Sequence, residues 1–427
     1  MRVIIREAMV VDPRSPYNGQ VVDIFVEDGK IAKIGKGLQL REAETAAKTA
    51  PEITEIKTEG LHVSPGWVDI FVQFHDPGGE RKETLKTGTD AAAAGGFTEV
   101  LAVPNTDPAV QNKGQVEYIA KSSKDLKARV HPIGAVSRNI EGKELAEMYD
   151  MHASGAKAFG DGWKPLQSAG LLLKALQYVK GIDGTVIQVP DDTTIGTHGL
   201  MHEGIVSTRM GLPGKSVLAE EVMVDRDLKL LEYTQSSIHF TGVTSEKSIE
   251  AIHAQKNATC SVTPHHLYFC DEDLEGYDTN LKVNPPLRDR KTMMALRQAV
   301  IDGKIDIITS HHLPQDWDHK VCEFEYAKNG AIGLESAFGV VWSLLEGDIS
   351  LGRWVEMASI KPREVFHLEK AELKEHAPAN LTLFVPGETY EFKESDIKSK
   401  SRNSPFTGKQ LKGRVKGTIL HDQLNLL

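Results

Sequence analysis

The sequence predicts a (β/α)8 barrel of the TIM type and a small β-sandwich domain that is built from both chain ends. Its 427 residues are too many for one small core. Apolar strand-like runs alternate with helical patterns through the middle of the chain, and short β-rich runs stand at both ends. We therefore assign residues 1–60 and 370–427 to the composite β-sandwich domain and residues 61–369 to the barrel.

The first β-rich end contains "RVIIREAMVV" and "VVDIFVEDGKIAKIG". In the second run, Asp28-Gly29 lies between two apolar segments, which is typical of a two-residue hairpin turn. The other end contains "ANLTLFVP", "ETYEF" and "GRVKGTILHD". We expect these two distant segments to meet in one small domain.

The middle of the chain supplies the barrel. Its eight predicted strands are "GWVDIFVQF", "TEVLAVP", "RVHPIGAV", "GAKAFG", "GTVIQVP", "SIHFTGV", "TCSVTP" and "IDIITSHH". The helices predicted between them include "TLKTGTDAAAAGG", "GLLLKALQYVKG", "AEEVMVDRDLKLLEYTQ", "SEKSIEAIHAQKN" and "RKTMMALRQAVIDG". Active sites of such barrels lie where the strands end, so the polar residues at those ends are the candidates for function.

The composition disfavours several classes of partner. The 50 Lys and Arg residues against 60 Asp and Glu give a net charge of −10, so neither nucleic acid nor an anionic membrane would be attracted at long range. The 3 cysteines show no CxxC spacing, and the N-terminus lacks a signal peptide's apolar core. We expect a cytoplasmic protein without a membrane span that forms a homo-oligomer, the commonest form being a dimer.

Several motifs together resemble the dihydroorotases of the amidohydrolase superfamily of cyclic amidohydrolases. The resemblance runs in order along the whole chain, and the pairing of "VTPHHL" with "KVNPPLR" is specific to dihydroorotases and near relatives. It rests on "SPGWVDIFVQFHDPG", "AVPNTDP", "GLMHEGIVSTRMGLPG", "VTPHHL", "KVNPPLRD", "IDIITSHHLP" and "NSPFTGKQLKGRV".

The resemblance implies a zinc enzyme of pyrimidine biosynthesis that opens or closes a cyclic amide ring. In that chemistry, one or two Zn²⁺ ions lower the pKa of a bound water to about 7, and the resulting hydroxide attacks the ring carbonyl. An aspartate at the end of the last barrel strand moves the proton. The matching residues of this chain therefore decide what it can do.

The first-strand motif of the family, Asp-x-His-x-His-x-Arg, reads here from Asp69 to His75. Phe71 and Gln73 stand where the family has two imidazole ligands, and neither replaces imidazole at zinc. His75 stands at the arginine that clamps the substrate carboxylate, and imidazole lacks the two-pronged permanent charge of guanidinium.

The later ligand positions are also altered. Asp161 is the one acid that could survive from the family's metal site, in a segment one residue short. Lys157 matches the place of a modified lysine, but strand alternation directs it to the opposite face. Gln188 matches the fifth-strand histidine and Gly242 the sixth-strand one, whereas His239 is interpreted as a hydrogen-bonded core residue.

The last-strand motif places His311 at the catalytic aspartate and Gln315 at a substrate-contacting histidine. Histidine can move a proton near pH 7, but without a metal hydroxide that ability has no evident use. Asn105 and Asn284 stand as in the family's pocket, and supporting the loops is the favoured interpretation of both. His265 and His266 are interpreted as structural.

The preferred hypothesis is a dihydroorotase-like protein that is catalytically inactive, needs no cofactor, and acts as a structural or regulatory partner, for example of aspartate carbamoyltransferase. The alternative is an active dihydroorotase or related hydrolase with an unorthodox zinc centre built from polar side chains that converge, namely His75, His239, His311, His312 and Asp161. A metal-free pocket for another ligand and a relic without a role are the remaining hypotheses.

Overall fold

The computed structural model describes residues 1–39 and 53–427, and its centre is a parallel eight-stranded sheet curved into a barrel. The strands pair in chain order, each with its sequence neighbour, which confirms the predicted barrel. In chain order, barrel strands 1 to 8 are Trp67–Val72, Phe97–Ala102, Arg129–Gly134, Ala158–Phe159, Val186–Gln188, Ile238–Thr241, Ala258–Val262 and Ile307–Ile308. Six of them fall within the predicted apolar runs, and strands 2 and 7 begin one residue earlier, at Phe97 and Ala258.

Barrel strands 8 and 1 are joined at their carboxyl ends. The backbone N–H of Gln73 donates to the carbonyl of His312 at 2.9 Å. The buried carboxylate of Asp69 accepts hydrogen bonds of 2.7 Å from Thr309 Oγ1 and from the backbone N–H of Ser310. These bonds bring the two segments that carry the altered family motifs side by side.

Helices cover the outside of the barrel, and each predicted helix is present. The α-helices are Leu85–Ala94, Lys113–Ser122, Met148–Ala153, Ala169–Lys180, Ile205–Met210, Leu218–Thr234, Glu246–His253, Pro264–Tyr268, Arg290–Ile301, Ala337–Leu345, Leu351–Val355 and Lys361–Val365, with a π turn at Glu356–Ile360. Short 3-10 turns lie at Arg138–Ile140, Asp271–Gly276, Thr279–Leu281, Trp317–His319 and Glu394–Asp396. No helix in the described part of the chain is long and apolar enough to cross a membrane.

The barrel has separate inner and outer apolar layers. Inside, alternate strand residues such as Val68, Ile133, Ile187 and Val189 pack together. The opposite faces of the strands pack against the helices in a larger cluster that includes Val186. This alternation decides which strand-end side chains can reach the barrel centre.

Both chain ends contribute to one mixed eight-stranded sheet with its own apolar core. Asp28 and Gly29 have φ of 48° and 71° and form the predicted two-residue hairpin turn. The strands are Arg2–Val10, Val21–Glu27, Lys30–Gly35, Thr54–Ile56, His62–Pro65, Asn380–Glu391, Gln410–Leu420 and Gln423–Leu426, and a separate two-stranded sheet pairs Met201–His202 with Gly214–Lys215. The sheet therefore extends past the boundary predicted at residue 60, and residues 40–52 of the predicted domain lie outside the described residues.

Candidate functional site

Three aromatic rings meet at the carboxyl end of the barrel, and we call Phe71, Trp163 and His311 the aromatic plug. The ring centre of Phe71 lies 4.8 Å from that of Trp163 and 4.8 Å from that of His311. Trp163 and His311 meet edge to face at 5.2 Å. These are the separations of well-packed aromatic pairs. The aromatic plug therefore fills the barrel mouth with three rings that pack against one another.

Little space remains beside the aromatic plug. The cavity there has a volume of about 20 Å³ and is bordered by Trp163, His265, Asn284 and His311. Pockets that bind small organic molecules measure about 300–1,000 Å³. A wider cleft of about 450 Å³ lies at the rim, between the loops that follow barrel strands 3, 4 and 5. The centre of the mouth has no room for a six-membered ring in this arrangement.

His311 fills the space that a longer side chain at residue 242 would need. An added Cβ on Gly242 would lie 2.4 Å from Cε1 of His311, and Gly242 has φ of 71°. His311 Nε2 bonds to Thr241 Oγ1 at 2.7 Å, and its Nδ1 has no partner among the described residues. Burial holds the pKa of His311 well below 6.5, and His266 adds to the effect. At neutral pH the ring is therefore uncharged and buried.

Replacing Gly242 with alanine is expected to lower the free energy of unfolding by about 2–3 kcal/mol. Alanine adds strain at a positive φ and a contact with His311 that the packed mouth cannot relieve. Denaturant unfolding measures the effect. In the double variant with His311→Ala the contact disappears, so the two changes should cost less together than their sum. Gly387→Ala is the control because its Cβ meets open space, and an equal loss there would contradict the prediction.

Gln73, Asn105 and Asp161 hold the loops around the mouth. Gln73 Nε2 donates to the carbonyl of Asn105 at 2.7 Å, and Asn105 Nδ2 donates to the carbonyl of Asp161 at 3.1 Å. The Asp161 carboxylate accepts bonds from the backbone N–H and the hydroxyl of Ser137. Asn105 Oδ1 accepts from the backbone N–H of Trp163 at 3.0 Å. The hydrogen bonds of Gln73, Asn105 and Asp161 therefore stabilise the loops around the mouth.

Gln188, which the resemblance matches to a histidine ligand of the family, does not face the barrel interior. Its Nε2 lies 3.2 Å from Asp227 Oδ2, on the helix Leu218–Thr234 outside the barrel. Its neighbours Ile187 and Val189 point inward instead, and both are apolar. The side chains of Ile187, Gln188 and Val189 therefore present no metal-ligand atom to the barrel centre.

Asn284 belongs to a charged cluster at the rim. Its Oδ1 accepts a 2.9 Å hydrogen bond from Lys215 Nζ, and its Nδ2 donates to Asp191 Oδ2 at 3.2 Å. Lys215 and Asp191 form an ion pair of 2.5 Å, both largely buried. Asn284 thus ties the rim loops together, in line with the supporting role favoured for it.

His75 and Gln315 are likewise tied to neighbouring chain segments. His75 Nε2 lies 3.0 Å from the carbonyl of Pro314, and burial with Lys82 nearby lowers the pKa of His75 to about 4. Gln315 Oε1 accepts from Lys82 Nζ at 2.8 Å, and its Nε2 donates to the carbonyl of Asn329. A neutral imidazole that is already bonded cannot supply the charge of a carboxylate clamp.

His239 is the hydrogen-bonded core residue that the sequence suggested. Its ring nitrogens lie 2.8 Å from Thr259 Oγ1 and 3.0 Å from Ser261 Oγ. Burial lowers the pKa of His239 to about 3, whereas the unfolded chain takes up the proton near 6.5. His265 and His266 are also buried, and His266 bonds to Thr263 and to the carbonyl of Pro285.

Acidification is therefore expected to destabilise the fold through His239. The stability from its neutral form is complete above a pH of about 6.5 and falls as the pH is lowered, by about 2 kcal/mol at a pH near 5. His239→Gln should flatten this dependence in denaturant unfolding at several pH values. The exposed His198→Gln is the control. An unchanged pH slope in His239→Gln would contradict the prediction.

The side chains at the family's metal positions do not fit zinc. Zinc in proteins takes thiolate, imidazole or carboxylate donors. Phe71 offers a benzene ring, Gly242 has no side chain, and the Gln73 amide nitrogen is bonded to a carbonyl. Across residues 1–39 and 53–427, no group of three or more His, Cys, Asp or Glu side chains could hold a metal ion.

The same result bears on the five side chains that were named for a rebuilt zinc centre. His75, His239, His311, His312 and Asp161 do not converge on one point. His312, for example, lies 3.5 Å from Glu83 Oε2 and accepts a 3.3 Å bond from the backbone N–H of Gly333. Lys157 is half-buried and lies near His152 of the outer helix Met148–Ala153, whose pKa is lowered first by burial and then by the charge of Lys157.

The sequence interpretation missed Trp163, one of the three rings of the aromatic plug. It lies directly after barrel strand 4 in "AFGDGW", where a barrel places functional side chains. A large aromatic residue at that position was the available signal. Its contacts with Phe71 and His311, and the hydrogen bond from its backbone N–H to Asn105, join segments that are far apart in the sequence, which no local pattern reveals.

Comparison with known proteins gives relatives along nearly the whole chain. A family model described as Dihydro-orotase-like matches residues 60–248. The chain is 37% identical over 431 residues to a dihydroorotase from Syntrophus aciditrophicus, covering 99% of both sequences. It is 38% identical over 426 residues to a dihydroorotase from Acetivibrio thermocellus, covering 98% of this chain and 97% of that one.

Solved structures with the same fold include proteins named as hydantoinases (dihydropyrimidinases). An L-hydantoinase (dihydropyrimidinase) from Arthrobacter aurescens aligns with a TM-score of 0.82 at 22% identity, over 100% of this chain and 97% of that one. A D-hydantoinase (dihydropyrimidinase) from Thermus sp. aligns with a TM-score of 0.81 at 19% identity, over 99% of this chain and 94% of that one. At these identities the alignments establish the fold.

Proposed function

The chain belongs to the dihydroorotase family, and from this premise we propose that it is a cytoplasmic, dihydroorotase-like protein of pyrimidine biosynthesis whose own barrel does not catalyse ring hydrolysis. One observation carries the proposal: the aromatic plug and the cavity of about 20 Å³ occupy the place where a substrate ring would have to lie. In this arrangement the packed rings leave no space for that ring at the barrel centre, which supports the proposal.

The chemistry of the remaining side chains supports the same proposal. Hydrolysis of a cyclic amide needs an activated water, a group that polarises the carbonyl and a group that moves the proton. His311 is buried, neutral and bonded to Thr241, and Phe71 supplies no lone pair. The residues at the metal positions thus provide neither the nucleophile nor the polarising group.

An active dihydroorotase is the second candidate, and the comparisons favour it over the inactive form. The relatives that match almost the full length of the chain are named dihydroorotase. In that case the chain would convert L-dihydroorotate and water to N-carbamoyl-L-aspartate. Such activity would require Phe71 and Trp163 to move out of the mouth, and the donors at residues 71, 73 and 242 to be replaced from elsewhere.

A hydrolysis assay separates the two candidates. The purified full chain would be given L-dihydroorotate with and without added Zn²⁺, and its zinc content would be measured without chelators. We expect no turnover above the buffer rate and zinc well below one ion per chain. The variant Phe71→His/Gln73→His, assayed in parallel, tests whether these two ligands alone restore zinc binding. Turnover by the unchanged chain, or stoichiometric zinc in it, would establish the second candidate.

The proposed role of the inactive protein is to assemble with aspartate carbamoyltransferase as a structural or regulatory partner. This proposal rests on the family resemblance, in which inactive members form such assemblies. Size-exclusion chromatography of the two mixed proteins should give a joint peak, and the transcarbamoylase activity should change on mixing. Separate elution together with unchanged activity would refute the partner role.

A further inference from the structure

A second cavity, separate from the barrel mouth, lies beside the loop that follows barrel strand 8. Its volume is about 410 Å³, within the range of small-molecule pockets. Its walls come from Arg81, from the segment around Trp317 and Lys320, and from the C-terminal residues 400–403. We call it the Trp317 pocket. Of the candidate site residues described above, only Gln315 lines it.

The walls of the Trp317 pocket carry a local excess of positive charge. Arg81, Lys320, Lys400 and Arg402 line it, against the single acid Asp316. The whole chain, in contrast, has a net charge of −10. A cation cluster against that background attracts anions because a concave surface that is lined mainly by charges of one sign focuses the electrostatic field.

Lys320 is the buried cation of the group. Only 6% of the residue is exposed, and its Nζ donates to the carbonyls of Thr279 at 2.8 Å and Lys328 at 2.9 Å. An ammonium has three N–H donors, so one is left over. No carboxylate among the described residues forms an ion pair with it. Burial without a counter-charge disfavours the charged form of the ammonium, and an anionic ligand would supply the counter-charge.

The charges around Lys320 are consistent with a site that lacks a bound anion. Burial and then the nearby Lys282 lower the pKa of Lys320 to about 7, while Asp278 and Cys322 act weakly in the opposite direction. An anion placed beside the ammonium would favour its charged form and raise that pKa.

Trp317 gives the pocket a flat apolar wall. Trp317 is 72% exposed, whereas Trp67 and Trp354 are fully buried, and Val321, which also lines the pocket, is 56% exposed. An exposed indole next to cations is suited to stack on a planar ring. Stacking of an aromatic ring on a nucleobase contributes about 1–3 kcal/mol.

We propose that the Trp317 pocket binds a small ligand that joins a phosphate group to a planar aromatic ring, as a nucleoside monophosphate does. The phosphate would lie against Lys320 and the neighbouring guanidinium and ammonium groups, which suit phosphate oxygens. The ring would stack on Trp317. The proposal does not depend on whether the barrel is catalytically active.

Calorimetric titration of the full chain tests the proposal with defined probes, namely AMP, UMP, inorganic phosphate and adenosine. We expect at least one nucleotide to bind at a single site with a Kd below about 1 mM. Phosphate alone and adenosine alone should each bind at least about tenfold more weakly. Quenching of tryptophan fluorescence should accompany nucleotide binding and disappear in Trp317→Phe.

Substitutions of two pocket residues, compared with a control substitution outside the pocket, test whether the nucleotide binds in the Trp317 pocket. Lys320→Met and Trp317→Ala should each weaken nucleotide binding by about tenfold or more. Lys143→Met, at an exposed lysine outside the pocket, should leave it unchanged. Circular dichroism verifies that each variant is folded.

Three results would overturn the proposal: no saturable binding of either nucleotide up to about 10 mM, unchanged affinity in both pocket variants, or preferential binding of a hexaglutamate peptide. The last result would indicate an acidic protein segment as the occupant.

Discussion

Replacing Arg363 with methionine is expected to lower the free energy of unfolding by about 3–5 kcal/mol. Arg363 is 2% exposed, and its Nη2 donates to Glu99 Oε1 at 2.8 Å. Its Nη1 donates to the carbonyls of Gly66 and Ser359 at 2.8 Å and 3.0 Å. Methionine would leave the Glu99 carboxylate buried without its main counter-charge. Guanidinium unfolding, followed by tryptophan fluorescence and far-UV circular dichroism, measures the loss.

The same ion pair connects the barrel to the composite sheet domain. Glu99 Oε1 also accepts a 2.9 Å bond from Asn380 Nδ2, at the start of the sheet strand Asn380–Glu391. The loss of Arg363 should therefore weaken both domains together and leave a single unfolding transition. The control is Glu369→Gln, which removes an exposed ion pair with Arg129 and should change the free energy by less than about 1 kcal/mol. Equal effects of the two variants would contradict the prediction.

The second large effect is expected for Phe71→Ala, at about 3–5 kcal/mol lost from the free energy of unfolding. Phe71 is fully buried and contacts both other rings of the aromatic plug. Its removal would leave a cavity next to the existing one of about 20 Å³, because the strands that frame it are held by hydrogen bonds and cannot collapse.

The exposed Tyr178→Ala is the control for Phe71→Ala, with an expected loss of less than about 1 kcal/mol. A loss below about 1 kcal/mol in Phe71→Ala itself would show that the mouth is loosely packed. That outcome would also favour the active dihydroorotase, because a loose mouth could open to admit a ring.

The repeated apolar runs predicted the barrel because each strand must be buried on both faces, which leaves a pattern within a few residues. The Asp28-Gly29 turn was predictable for a similar reason, since positive φ at two successive positions selects those residues. The family motifs in addition identified which residues stand at the functional positions at the strand ends, among them Phe71, Gln73 and His311. All of these are properties of local sequence or of order along the chain.

Tertiary structure alone decided which way the site side chains point and how much space remains. Gln188 looked like a ligand position, but the inward side chains are Ile187 and Val189, since a one-residue difference in register reverses the face. The packing of Trp163 against Phe71 and His311 joins residues far apart in the sequence.

What the sequence determined by itself is therefore the fold, the family and the loss of donor atoms at residues 71 and 242. The filled barrel mouth and the charged Trp317 pocket were decided only by the tertiary structure. The physical reason is that periodicity and side-chain chemistry are encoded locally, whereas a cavity volume is set by rings and loops that meet only after the chain has folded.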